Sequence, residues 1–92
     1  MNAVLSRPLS DDDMQIQAYN GAFEELGLQW YWDRSTWAAL PPDSSRVLEY
    51  VQREHPHLLR SYDGDFLVTA VESARARHEA AMRSRRQHAA NA

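Results

Sequence analysis

Phe23-Glu24-Glu25-Leu26-Gly27-Leu28-Gln29-Trp30-Tyr31-Trp32-Asp33 is a helix end followed at once by a run of aromatic residues, and Trp37 stands shortly beyond it. Gly27 has the place of a left-handed residue just past a helix, with Leu28 after it set to pack back on Phe23, the hydrophobic contact of a Schellman stop. Upstream, Ile16, Tyr19, Phe23 and Leu26 recur at spacings of three and four, which is the stripe of an amphipathic helix. Ser10 precedes that stripe with Asp13 three residues on, the arrangement of a capping box, and Asp11, Asp12 and Asp13 suit the positive end of the helix dipole. The first helix is therefore predicted over residues 11–26.

Downstream, Asp33 is placed to cap a short helix over 34–40, which Pro41-Pro42 ends because proline disfavours helix at the residue before it. Asp43, Ser44 or Ser45 caps a third helix over 44–55, with Val47, Leu48 and Val51 inward and Pro56 closing it. A long fourth helix over 63–83, started by Ser61 or Asp63, carries Phe66, Leu67, Ala70, Val71, Ala74, His78, Ala81 and Met82 as its stripe. Glu79 can pair along it with Arg75 and Arg83. No run alternates with a period of two, and no turn dipeptide joins two apolar runs. The expected fold is all-α, a small bundle of four helices with the second short. Its core would be Ile16, Tyr19, Phe23, Leu26, Leu28, Trp37, Leu40, Val47, Val51, Leu58, Leu67, Val71 and Ala74. Residues 1–9 are expected as a flexible leader, 10–83 as one helical domain, and 84–92 as a fraying or disordered basic tail.

With 92 residues the chain is one domain at most, and its core is small. It has no cysteine, which removes disulfides, thiolate metal sites and cysteine nucleophiles together. No stretch reaches the roughly 18 apolar residues of a spanning helix, and the first residues are too weakly apolar for a signal peptide. The expectation is a cytoplasmic protein that does not enter membranes. All ten cations are arginine, as codon usage in a GC-rich genome accounts for, although arginine also makes planar forked contacts that lysine cannot. Residues 1–65 hold eleven acids against five arginines, while residues 66–92 hold only Glu72 and Glu79 against five arginines. An acidic body thus carries a basic end.

Candidate chemistry is sparse. His55-Pro56-His57 places two imidazoles close together, but a histidine metal site needs further converging ligands, and a helix-ending turn explains the motif. Asp63-Gly64-Asp65 resembles part of a calcium loop, yet the twelfth position from Asp63 is Ala74 where that loop needs a glutamate. Helix capping accounts for both acids, and for Asp11, Asp12 and Asp13 as well. No nucleophile elbow or glycine-rich phosphate loop is present, so no catalytic residue, metal or cofactor is assigned. The arginines of the basic end could touch phosphates, but a net charge of −3 and a pI near 5.7 argue against a dedicated nucleic-acid binder.

The aromatic junction is the remaining candidate. Neighbours in sequence point in different directions, so Trp30, Tyr31 and Trp32 are not all expected in one small core. Either at least one tryptophan faces a partner, where Trp and Tyr make good anchors, or all three tryptophans close over the core. Trp30, Tyr31, Trp32 and Trp37 are therefore the candidate partner- or ligand-binding residues.

Residues 18–33, from Ala18-Tyr19-Asn20-Gly21 to Trp30-Tyr31-Trp32-Asp33, resemble the opening of the helical cap subdomain of phosphoglucomutase-like haloacid dehalogenase phosphatases. The likeness extends through Trp37-Ala38-Ala39-Leu40 to Arg46-Val47-Leu48-Glu49-Tyr50, about a third of the chain. In that family catalysis depends on an Asp-x-Asp nucleophile motif before the cap, on a Rossmann-like core for which this chain has no room. The resemblance implies a helical packing arrangement and transfers no catalytic residue. The expected function is that of a non-enzymatic interaction or regulatory module docking a protein partner through the aromatic junction; a monomer and a homodimer that uses either the aromatic junction or the long fourth helix both stay open. The alternative is a small-molecule binding module with an aromatic-lined pocket between helices.

Overall fold

Ser10 opens the first helix as the spacing predicts. In this computed structural model, which describes residues 10–42 and 45–91 (86–91 as backbone alone), its hydroxyl accepts from the Asp13 N–H at 3.1 Å and the Asp13 carboxylate accepts from the Ser10 N–H. Helix α1 then runs Asp11–Glu25. It stops on a Schellman motif: the Leu28 N–H donates to the Phe23 carbonyl at 2.8 Å and the Gly27 N–H to that of Glu24 at 3.1 Å. Gly27 has φ 75°, a conformation that costs a residue with a Cβ roughly 1–2 kcal/mol.

Asp33 caps α2, Arg34–Ala39, by accepting from the Thr36 N–H at 2.8 Å. Ser45 caps α3, Arg46–Glu54, through the Leu48 N–H at 3.1 Å. The other two candidate caps, Asp43 and Ser44, and the expected leader 1–9 lie outside the described residues.

The chain departs from the expected four helices in two places. A single helical turn, α4 over Leu58–Ser61, follows Pro56. Proline fits the start of such a turn because the N–H it lacks would be unpaired there. The last helix, α5, covers Gly64–Asn91 rather than stopping near 83. Its apolar stripe does end near Met82, but the segment beyond holds no glycine or proline and is rich in alanine and arginine. Those residues favour helix without a buried face once a packed helix has nucleated it. Among the described residues there is no strand and no helix long and apolar enough to cross a membrane. The molecule is all-α.

The core centres on the seam between α1 and α5, against which α3 and the α1–α2 connection close. Ala18, Ala22 and Ala74 are fully buried, so the two long helices approach closely. Ile16, Tyr19, Phe23, Trp37, Leu40, Val47, Val51, Val71 and Ala74 are buried as expected, while Leu28, Leu58 and Leu67 are partly buried against them. Met14, Ala18 and Ala22 join the core unforeseen, and Trp32 joins it as the alternative of a tryptophan-closed core has it. Leu26 does not belong to it. As the helix C-cap it is 39% exposed, and Leu28 takes the apolar contact instead. Phe66, placed on the α5 stripe by its spacing, is 62% exposed.

A polar network flanks the seam. The Tyr19 hydroxyl donates to Glu72 Oε2 at 2.6 Å, and Glu72 accepts from Arg75 Nε at 2.8 Å. Arg75 also donates to Glu79 at 2.6 Å, and Glu79 accepts from Arg83 at 2.7 Å, as the spacing along the helix predicts.

Candidate functional site

Asn20 builds the aromatic junction. From the middle of α1 its amide nitrogen donates to the Trp32 carbonyl at 2.9 Å, and its amide oxygen accepts from the Trp32 N–H at 2.8 Å. The side chain thus stands in for a strand partner and fixes the backbone of the connection at Trp32. Successive side chains of an extended segment point to opposite sides. Trp32 goes inward and is 0% exposed, whereas Tyr31 goes outward and is 74% exposed.

The four candidate aromatics therefore do not form one surface. Trp32 lies among Tyr19, Phe23 and Tyr50, with ring centroids 4.8, 5.0 and 5.4 Å away. Its indole N–H is buried with no hydrogen-bond partner, in a setting made of ring faces. Trp37 is also a core residue, with the Arg46 guanidinium 3.8 Å from its ring centroid. Trp30 is half-buried and stacked on His55 at 5.1 Å, with Phe23 and Tyr50 at its edges. Trp32 and Trp37 are thus covered, and only Tyr31 and one side of Trp30 are open to a partner.

Tyr31 stands between three clefts of about 370, 410 and 380 Å³, and lines all of them. The first adds Asn20, Gly21, Glu24, Leu28 and Trp30. The second reaches Tyr50, Arg53 and Glu54, and the third Asp13, Asp33 and Arg34. Both arginines already face acids: Arg34 meets Asp13 at 2.6 Å, and Arg53 meets Glu49 at 3.2 Å. Glu24 and Glu54 are exposed. The ground around Tyr31 is consequently acidic.

Two of the acids there, Asp13 and Asp33, are held below the ordinary carboxylate range. The Ser10 hydroxyl and amide, then Arg34, lower Asp13, and hydrogen bonds from Thr36 do the same for Asp33. Burial raises Tyr50, and the nearby Glu54 charge adds to the effect.

The histidine pair sits at the edge of the aromatic cluster. His55 stacks on Trp30, the His57 ring is 5.9 Å from it, and no group of three histidine or acidic side chains among the described residues could hold a metal ion. Asp63 accepts from the Asp65 N–H at 3.3 Å, as a helix cap does.

Reading along the chain missed Asn20, Glu24 and Glu54. Asn20 carried one usable signal, since asparagine inside a helix is unfavourable unless its amide is bonded elsewhere. Glu24 and Glu54 are 30 positions apart in sequence and come to flank one residue only through packing. The chain matches no family model, no curated protein and no solved structure.

Proposed function

We propose that this protein is a non-enzymatic interaction module of the cytoplasm that docks an arginine-bearing helical segment of a protein partner on Tyr31 and its acidic clefts. The observation that carries this reading is the placement of Tyr31, a 74% exposed aromatic ring on a connection pinned by Asn20. Large aromatic side chains on rigid supports are the anchors of protein interfaces. An arginine guanidinium stacks on such a ring and makes forked contacts to carboxylates beside it, here those of Glu24 and Glu54.

The alternative, a small-molecule pocket lined by the aromatic residues, gains less support. Trp32, Trp37, Tyr19 and Phe23 pack on one another instead of around a cavity.

The test is a titration with an arginine-rich helical peptide, followed by backbone amide NMR shifts, beside a peptide with glutamate at the arginine positions. The arginine peptide is expected to shift Tyr31, Glu24 and Glu54, and Tyr31→Ser is expected to weaken binding about tenfold. Equal response to both peptides, or no change with Tyr31→Ser, would overturn the proposal.

A further inference from the structure

We infer that the segment occupying the Tyr31 surface is the distal third of α5 from a second copy of this chain, in a reciprocal pairing of two molecules. This rests on the reading of the Tyr31 surface given above.

Among the described side chains beyond Glu79, Arg83 pairs only with Glu79 of its own helix, and Arg85 is exposed and faces no acid. A helix of 28 residues is about 42 Å long, and the molecule measures 48 × 24 × 24 Å. Leu67, Val71, Ala74 and His78 lie against the body, but Ala80, Ala81, Arg83, Ser84 and Arg85 are exposed. No acid follows Glu79, while arginines stand at 83, 85 and 86. The far end of α5 is therefore a basic arm reaching beyond the acidic body.

A continuous helix cannot turn back on its own clefts, so the arm can fill such clefts only on another molecule. Its chemistry suits them, with guanidinium groups meeting an exposed tyrosine and the free carboxylates of Glu24 and Glu54. The two parts are also contiguous. His78 rests against Gly21, which lines the first cleft, so the arm leaves the body beside the surface it would occupy. A two-fold axis next to that boundary sets each arm on the partner's clefts and uses both patches twice, which is the self-complementary geometry of a symmetric dimer.

Other occupants fit less well. Arm against arm would oppose like charges. Phosphate binding would rest on three arginines in a molecule of net charge −3, a shallow electrostatic footprint for nucleic acid.

Sedimentation velocity tests the pairing in about 50 mM and about 500 mM salt, since exposed charge pairs are screened within a few ångströms at the higher value. Arg85→Glu with Arg86→Glu alters the arm and spares the Arg83–Glu79 bridge; Glu24→Arg with Glu54→Arg alters the acceptor. Circular dichroism checks that each variant keeps its helix content. The pairing predicts a wild-type dimer at low salt, association at least tenfold weaker at high salt, and monomers for each variant alone. Mixing arm and acceptor variants should restore a heterodimer, because one of the two reciprocal contacts then joins two reversed partners. A monomeric wild type, or a dimer that survives arm reversal, overturns the inference. So does arm-dependent binding of duplex DNA by a wild type that does not self-associate. A monomer that still binds the arginine peptide through Tyr31 would sink the pairing alone. An arm-dependent dimer indifferent to Tyr31→Ser would sink the Tyr31 surface with it.

Discussion

Asn20 illustrates how one side chain sets the whole junction. It satisfies both backbone groups of Trp32, and Trp32 fills the centre of the core. Asn20→Ala leaves those buried groups unpaired and is expected to cost about 1–3 kcal/mol, measured by urea unfolding. Wild-type stability in the variant would show that Trp32 is held by packing alone. A second residue-level expectation concerns Tyr19. Burial, then the hydrogen bond to Glu72, raises its hydroxyl far above the ordinary value of 10.0. The folded state keeps its proton while the unfolded state loses it, so this contribution is whole below pH 10 and fades as pH rises above it. Removing that proton difference with Tyr19→Phe should flatten the alkaline loss of stability by up to about 1.4 kcal/mol per pH unit, read from denaturant curves between pH 9 and 11. The tyrosine's place in the core was legible from its helical spacing. Its bond to Glu72 was not, because the two stand 53 positions apart.

Elements were legible where their ends carry local chemistry. Ser10 with Asp13, Asp33, Ser45 and Gly27 each act within four residues of their own position, and each starts or stops a helix within two residues of the expected end, α3 beginning at Arg46 instead of position 44. The α4 turn escaped because four residues are too few to show a period. The length of α5 escaped for a different reason: periodicity reports a buried face, and the helix continues past the end of its own on propensity. Between the long helices, Gly21 marks a close approach that spacing does not reveal. A Cβ there would lie 2.6 Å from His78 Nδ1, and moving His78 would break its 3.0 Å contact with Glu25. Alanine normally gains about 1 kcal/mol over glycine inside a helix. Gly21→Ala should forfeit that gain in the wild type and recover it with His78→Ala, a coupling of about 1 kcal/mol in a double-mutant cycle. Additive effects of the two substitutions would mean that His78 does not sit over Gly21.

At the scale of the molecule, stability depends on pH through carboxylates tied to arginines across and along the helices. Arg77, then His78, lowers Glu25, and Arg83, then Gln15 and Arg75, lowers Glu79. Each contributes stability that is present above the ordinary carboxylate value of 4.5 and lost as pH falls through its lower folded value. Melting temperature should therefore hold from neutrality to about pH 5 and decline below pH 4.5, the decline being shallower in Glu79→Gln. The division between acidic body and basic end was legible from the order of charges along the chain. Its structural meaning was not, because the alanine- and arginine-rich composition beyond Met82 favours helix but carries no apolar face to show where that helix runs relative to the body.

The most direct test of the Tyr31 surface and the arm together uses the absence of native cysteine. Ser84→Cys, on the exposed arm, can carry a single nitroxide label, and the labelled protein is mixed with unlabelled-cysteine-free, ¹⁵N-enriched wild type. Intermolecular broadening centred on the amides of Tyr31, Glu24 and Glu54, and abolished by salt, is the predicted result. Broadening centred on another surface, or none at concentrations where the wild type self-associates, would contradict the account.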